Sequence, residues 1–190
     1  MFRPVPPGYG GCVRTDPNVT RRGPMSNDAI VVLKDDHKKM RGLFREYDQA
    51  GENAIETKAR LAKQILEELT VHTYLENEVM YPEVRKRLPD LENDVLESYE
   101  EHHVADVLTA ELAMMSPSDE RFDAKMMVLM ENVKHHMDEE EQEWFPKVRE
   151  GLGRKELQEL GERMQQLRPE APKHPAQPSA IKKAIDAVIA

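Results

Sequence analysis

Cysteine is almost missing from this chain of 190 residues: Cys12 stands alone. That excludes an intramolecular disulfide and a thiolate metal cage, so any bound metal must rely on nitrogen and oxygen ligands. Aromatic residues are scarce at 5%, and no apolar run approaches the roughly 18 residues that a membrane-spanning helix needs. Basic residues are outnumbered, 27 Lys and Arg against 36 Asp and Glu, for a formal net charge of −9. A chain of that sign repels phosphate backbones, and no nucleic acid partner is expected. The opening stretch MFRPVPPGYGG holds none of the apolar core of a secretory signal. A soluble, cytoplasmic protein with no membrane partner is the expectation.

What the chain does have is helical periodicity. Residues 1–25 are rich in proline and glycine and include the pair Arg21-Arg22, a composition that buries too little apolar surface to offset the entropy of ordering. From Ser26, the expected N-cap, Ile30, Leu33, Met40, Phe44 and Tyr47 recur every three or four positions, which is the helical period. A second stripe follows Ala50-Gly51 with Ile55, Leu61, Ile65, Leu69 and Val79, and ends near Pro82 or a turn beyond, since proline disfavours helix in its predecessor. A third runs through Val95, Tyr99, Ala105, Leu108 and Leu112 to the Ser116-Pro117-Ser118 turn. The fourth carries Phe122, Met126, Leu129, Val133 and Trp144 towards Pro146, with Gly151 and Gly153 beyond. Short connections between four long helices predict an all-α, up-down-up-down four-helix bundle over residues 26–150. Residues 151–190 read as a short helix over 154–168, the proline-rich linker PEAPKHPAQPSA and the amphipathic segment IKKAIDAVIA.

The bundle contains an internal repeat. HTYLENEVMYP and HMDEEEQEWFP each place a His four residues before a Glu and ten before a Pro, and they lie 64 residues apart: His72, Glu76 and Pro82, then His136, Glu140 and Pro146. Asp36-His37 is followed 65 residues later by Glu101-His102. The chain therefore reads as two copies of one helical hairpin. His37 falls on the stripe of Leu33 and Met40, His72 on that of Leu69 and Val79, and His136 on that of Met126, Leu129 and Val133, so these side chains point inward. Glu76 and Glu140 lie one turn further along the same faces. A carboxylate in an apolar core costs several kcal/mol unless it meets a cation. Neither stripe supplies an inward Lys or Arg, so a metal is the simplest counter-charge, with iron, manganese and zinc all suited to imidazole and carboxylate.

The bland readings bear on individual residues. One inward His is usually a hydrogen-bonded core residue; four at repeating positions with two glutamates are not explained that way. Within the acidic run, Asp138, Glu139 and Glu141 read as a solvated face, because four successive residues cannot share one side of a helix. His135 shares the face of Val128 and Asn132 and is read as surface. Periodicity barely separates His102 from His103; the repeat offset favours His102. Asp106, one turn beyond, is either a further ligand, a hydrogen-bond partner of an imidazole, or simply exposed. The methionines read as core filling, and Tyr81-Pro82 and Phe145-Pro146 as shapers of helix ends with no chemistry.

The order His, His-x-x-x-Glu, Glu-His, His-x-x-x-Glu with its aromatic-Pro endings resembles the hemerythrin-like HHE cation-binding domains over roughly residues 28–150. The resemblance implies two non-haem irons per chain, with Glu76 and Glu140 as bridges and His37, His72, His102 and His136 as terminal ligands. It also implies an open iron position for dioxygen. Oxygen-carrying hemerythrins place two histidines one turn apart on the third helix, whereas here His102 is followed at that distance by Asp106. That departure points away from reversible oxygen carriage, towards oxygen or redox sensing, iron handling, or a response to nitric oxide or peroxide. Two other readings compete. A ferritin-like di-iron enzyme needs two Glu-x-x-His motifs, and the chain offers one, Glu100 to His103; a hemerythrin-like site could itself be enzymatic. A purely structural or interaction bundle would leave the histidines incidental.

Overall fold

The computed structural model describes residues 28–51 and 54–175, and every regular element among them is helical. Helix α1 spans Ala29–Gln49, α2 Ile55–Leu75, α3 Tyr81–Arg87, α4 Glu92–Met114, α5 Phe122–Glu139, α6 Phe145–Gly151 and α7 Arg154–Leu167. A wide π turn, Glu76–Met80, joins α2 to α3 without a break, and a second, Glu140–Trp144, joins α5 to α6. Four long rods result, α1, α2–α3, α4 and α5–α6, with α7 laid against α1. Neighbours pack in the order α1 with α2, α2 with α4, α4 with α5 and α5 with α1, which closes the predicted four-helix bundle.

The start of α1 is set by Asp28, whose carboxylate accepts from the Ile30 amide at 2.9 Å and also holds Arg149 of α6 at 2.8 Å. It is this residue that caps the helix; Ser26, like Cys12, the tail and IKKAIDAVIA, lies outside the described residues. Apolar side chains fill the bundle in two layers. One, towards the α3 and α6 ends, packs Leu33, Leu75, Met80, Val84, Trp144 and Phe145 against Leu157, Leu160 and Met164 of α7. The other, at the opposite end, packs Met40, Phe44, Ile65, Met126, Leu129 and Met130. Between these layers every rod contributes polar side chains.

The π turns belong to the repeat. Pro82 and Pro146 have no N–H and in a regular helix would clash with the carbonyl four residues back. Widening the preceding turn relieves the clash, as π insertions at functional sites commonly do. The Tyr81 amide then donates to the Glu76 carbonyl, and the Phe145 amide to that of Glu140, each five residues back. Glu76 and Tyr81 are thereby brought to one face, and so are Glu140 and Phe145.

Candidate metal centre

His37, His72, Glu76, His102, His136 and Glu140 meet in the polar layer, none more than 6% exposed. The imidazoles face one another in pairs through Nε2, 3.2 Å apart for His37 and His72 and 3.1 Å for His102 and His136. Glu76 Oε2 lies 3.1 Å from His72 Nε2 and 3.3 Å from His102 Nε2. Glu140 Oε2 lies 3.3 Å from His37 Nε2 and 3.6 Å from His136 Nε2. Each carboxylate thus reaches one imidazole of its own hairpin and one of the other.

The outer imidazole nitrogens are held in turn. His37 Nδ1 donates to Glu141 at 2.9 Å, His102 Nδ1 to Asn77 at 3.1 Å and His136 Nδ1 to Glu101 at 2.6 Å. Asp36 lies 3.6 Å from His72 Nδ1, an ion-pair distance too long for a hydrogen bond. Because carboxylate and amide oxygens only accept, Nδ1 of His37, His102 and His136 carries a proton and Nε2 faces inward, as in histidines that ligate metals. Glu141 is itself anchored by Arg41 at 2.5 Å, and Asp36 by Arg168 at 2.7 Å.

Without a cation these groups share protons. Burial disfavours the His72 imidazolium, but Glu76 and Asp36 outweigh it and push its pKa up to about 10. His136 behaves alike: burial is outweighed by Glu140 and Glu101, and it rises to about 9. For His102, burial and the neighbouring His136 lower the pKa. Glu76 is held well below the usual carboxylate range, burial notwithstanding, by His72 and His102. Even so, both Glu76 oxygens and Glu140 Oε2 are buried without a hydrogen-bond partner. Orphaned buried oxygens beside inward-facing imidazole nitrogens are the donors a cation would satisfy. Two overlapping groups could hold one each: His37, His72, Glu76 and Glu140 with ligand atoms within 4.8 Å of one another, and Glu76, His102 and His136 within the same limit. Glu76 belongs to both.

Residues 28–148 match the hemerythrin HHE cation-binding domain family. The chain belongs to that family. Among its relatives, an uncharacterized hemerythrin-like protein of Schizosaccharomyces pombe is 27% identical over 160 residues, covering 84% of this chain and 77% of the yeast protein. A DNA nickase of Nostoc is 30% identical over 128 residues, 67% of this chain; the match spans 35% of the nickase's length. The crystal structure of a hemerythrin HHE cation-binding domain-containing protein from Mycobacterium kansasii shares the fold with a TM-score of 0.61 at 23% identity, covering 84% of this chain and 88% of that one.

For a hemerythrin-type bundle, three placements differ from or add to the sequence reading. His103 and Asp106 join neither buried group among the described residues; burial alone pushes the Asp106 carboxyl up to about 7. Glu141, read as solvated, instead supports His37. The repeat carried a signal for this, since Asn77 and Glu141 each follow a site glutamate and each offers an oxygen to an imidazole of the other hairpin. Tyr81, given no chemistry from sequence, is fully buried and donates its hydroxyl to Glu140 Oε1 at 3.1 Å, 3.2 Å from His102 Nε2. Burial, Glu140 and Glu76 push its pKa well above the ordinary phenol value. Phe145, its repeat partner, stacks on His37 at 5.7 Å, so the two halves differ here by one hydroxyl.

Proposed function

We propose that this HHE domain binds two iron ions per chain on His37, His72, Glu76, His102, His136 and Glu140, with Glu76 shared between them, and acts in oxygen or redox sensing, iron handling, or a nitric oxide or peroxide response. The observation that carries the reading is the pair of overlapping donor groups in an apolar interior, each taking both histidines of one hairpin and a glutamate from the other. Manganese or zinc would suit the same donors; iron, unlike redox-inert zinc, would supply redox chemistry at such a site when bound. The chain's own residues do the rest. Glu141, Asp36, Asn77 and Glu101 orient the imidazoles, and the two apolar layers exclude bulk water. Tyr81 adds an oxygen beside His102, which would bring that three-donor group to four, as many as the other.

A small internal cavity of about 10 Å³ lies against His72, His102 and His136 and is otherwise lined by Leu69, Val133 and Met137 among others. That is about the space of one water molecule, which suits a diatomic or peroxide-sized ligand better than an organic substrate. The net charge of −9 argues against extending DNA nicking from the Nostoc relative to this chain.

Elemental analysis after iron-supplemented expression tests the reading. Near two irons per chain are expected, falling to one or fewer in His72→Ala and His136→Ala. A metal-free wild type, or variants with unchanged metal content, would overturn it. Absorption changes of the iron-loaded chain on adding dioxygen, nitric oxide or peroxide then distinguish ligand response from storage.

A further inference from the structure

The two hairpins give nearly equivalent ligands, yet they are covered differently. On the α4 and α5–α6 side an open pit of about 90 Å³ reaches down to His136 and Glu140. Its walls carry Asp94, Glu97, Glu101, Glu139 and Glu143, and Lys147, the cation among its lining residues, is tied to Asp94 at 2.9 Å. The repeat counterparts of Glu97, Ser98, Glu139 and Glu143 are Val32, Leu33, Leu75 and Val79, all buried beneath Leu157, Leu160 and Met164 of α7. One half is apolar and roofed; the other is acidic and open.

Two further observations point to what the open half receives. The floor residue Glu140, 2% exposed, has its Oε2 without a hydrogen-bond partner, and Trp144 Nε1, 4% exposed on the same floor, also lacks one. At the mouth, Glu101, His135 and Glu139 place ligand atoms within 4.8 Å of one another. Glu101 belongs both to that outer group and, through its 2.6 Å bond to His136 Nδ1, to the support of the buried centre.

We propose that this pit is the loading path of the centre: a hydrated divalent cation is captured at Glu101, His135 and Glu139 and passes down the acidic wall to the His102 and His136 position. The path rests on the two-metal reading above. Carboxylates converging on a narrow opening concentrate a cation and speed its association, by about tenfold or more in comparable clefts. The unpartnered Trp144 N–H would donate to a water of the incoming ion. Among the described residues, the corresponding side of the first hairpin is covered by α7 and by the Arg168–Asp36 pair at 2.7 Å. On this path both positions fill through the acidic pit.

Stopped-flow mixing of the metal-free full chain with Co(II), read by its visible absorption, tests this. The double variant Glu97→Gln with Glu143→Gln alters no ligand, and at low ionic strength it should load about tenfold more slowly, reaching the same final stoichiometry. The difference should shrink above about 0.5 M salt, where exposed charges are screened. His135→Ala with Glu139→Gln should slow loading severalfold. Glu150→Gln with Glu162→Gln, an equal charge change on exposed residues away from the pit, should not. Loading at the wild-type rate in both pit variants, or equal slowing in the control, overturns the path while leaving the centre intact. A wild type that takes up no Co(II) at all overturns the centre and the path together.

Discussion

The metal-free centre should make stability fall as pH rises through a range where most domains are indifferent. His72 and His136 have folded pKa values pushed up to about 10 and about 9 from 6.5. A group whose folded pKa is raised contributes stability that is complete below its unfolded value and is lost as pH climbs through the folded one. The window therefore runs from about pH 6.5 to 10, with His136 spent by about 9, and His102, shifted the other way, tempers the gain only at its acidic end. At about 1.4 kcal/mol per pKa unit, rises of about 3.5 and about 2.5 put on the order of 8 kcal/mol at stake over the whole window, comparable with the usual 5 to 15 kcal/mol of a domain. Urea unfolding of chelator-treated protein at pH 6.5, 7.5, 8.5 and 9 measures it. The midpoint should fall steadily, and less steeply in Glu76→Gln, which removes the charge that raises His72 most. Protein saturated with metal should show the opposite trend, because the ion replaces the two protons and competes better as pH rises. A metal-free midpoint that stays level or rises over this window would refute the reasoning.

Tyr81→Phe, which makes the two halves alike at that position, should abolish a visible phenolate-to-iron absorption of the ferric chain and leave two irons bound; a ferric wild type without that absorption would remove Tyr81 from the ligand set. Asp106→Asn should stabilise the protein at pH 8 by roughly 2 kcal/mol, part of the cost of ionising a carboxyl pushed up to about 7 by burial. That penalty is absent below pH 3.8 and complete above 7, so the gain should vanish near pH 4, with metal content unchanged throughout. Asp28→Ala should lower stability by about 1 to 2 kcal/mol, since it removes both the α1 cap and the anchor of Arg149; thermal melts at neutral pH would show it, and an unchanged melt would mean that water caps the helix equally well.

The bundle was legible in sequence because its stripes are long and regular: Leu33, Met40, Phe44 and Tyr47 are all buried as their spacing predicts. The buried convergence of His37, His72, Glu76, His136 and Glu140 follows from the same periodicity, and His102 needed the repeat because α4 offers weak amphipathic contrast. What stayed hidden follows from how the helix is built at Pro82 and Pro146. A regular helix sets residues five apart on different faces, and only the wide turn brings Tyr81 and Glu76 together. Glu141 was misread for a related reason. It sits inside such a turn, half-buried, where a neighbour of an inward glutamate can still reach His37 on the facing helix.

The duplication makes the two hairpins depend on each other. Asp36 supports His72 and Glu101 supports His136 within one hairpin, but Glu141 supports His37 and Asn77 supports His102 across the interface. Glu76 and Glu140 cross it as well. Each buried donor group takes a glutamate from across the interface, Glu140 in one and Glu76 in the other, so ion binding would be linked to closure of the whole bundle, and its free energy would appear as folding stability. Where the halves differ, the differences fall on one side: Asn77 in place of Glu141, Tyr81 in place of Phe145, and an acidic pit in place of α7. His102 thus leans on a neutral amide while His37 leans on a carboxylate. An imidazole hydrogen-bonded to a carboxylate is the more basic ligand. That favours His37 over His102 as a single ligand, but His136 has its own carboxylate in Glu101 while Asp36 stays 3.6 Å from His72, so it is the opening beside the His102 and His136 position that should make it exchange its ion first.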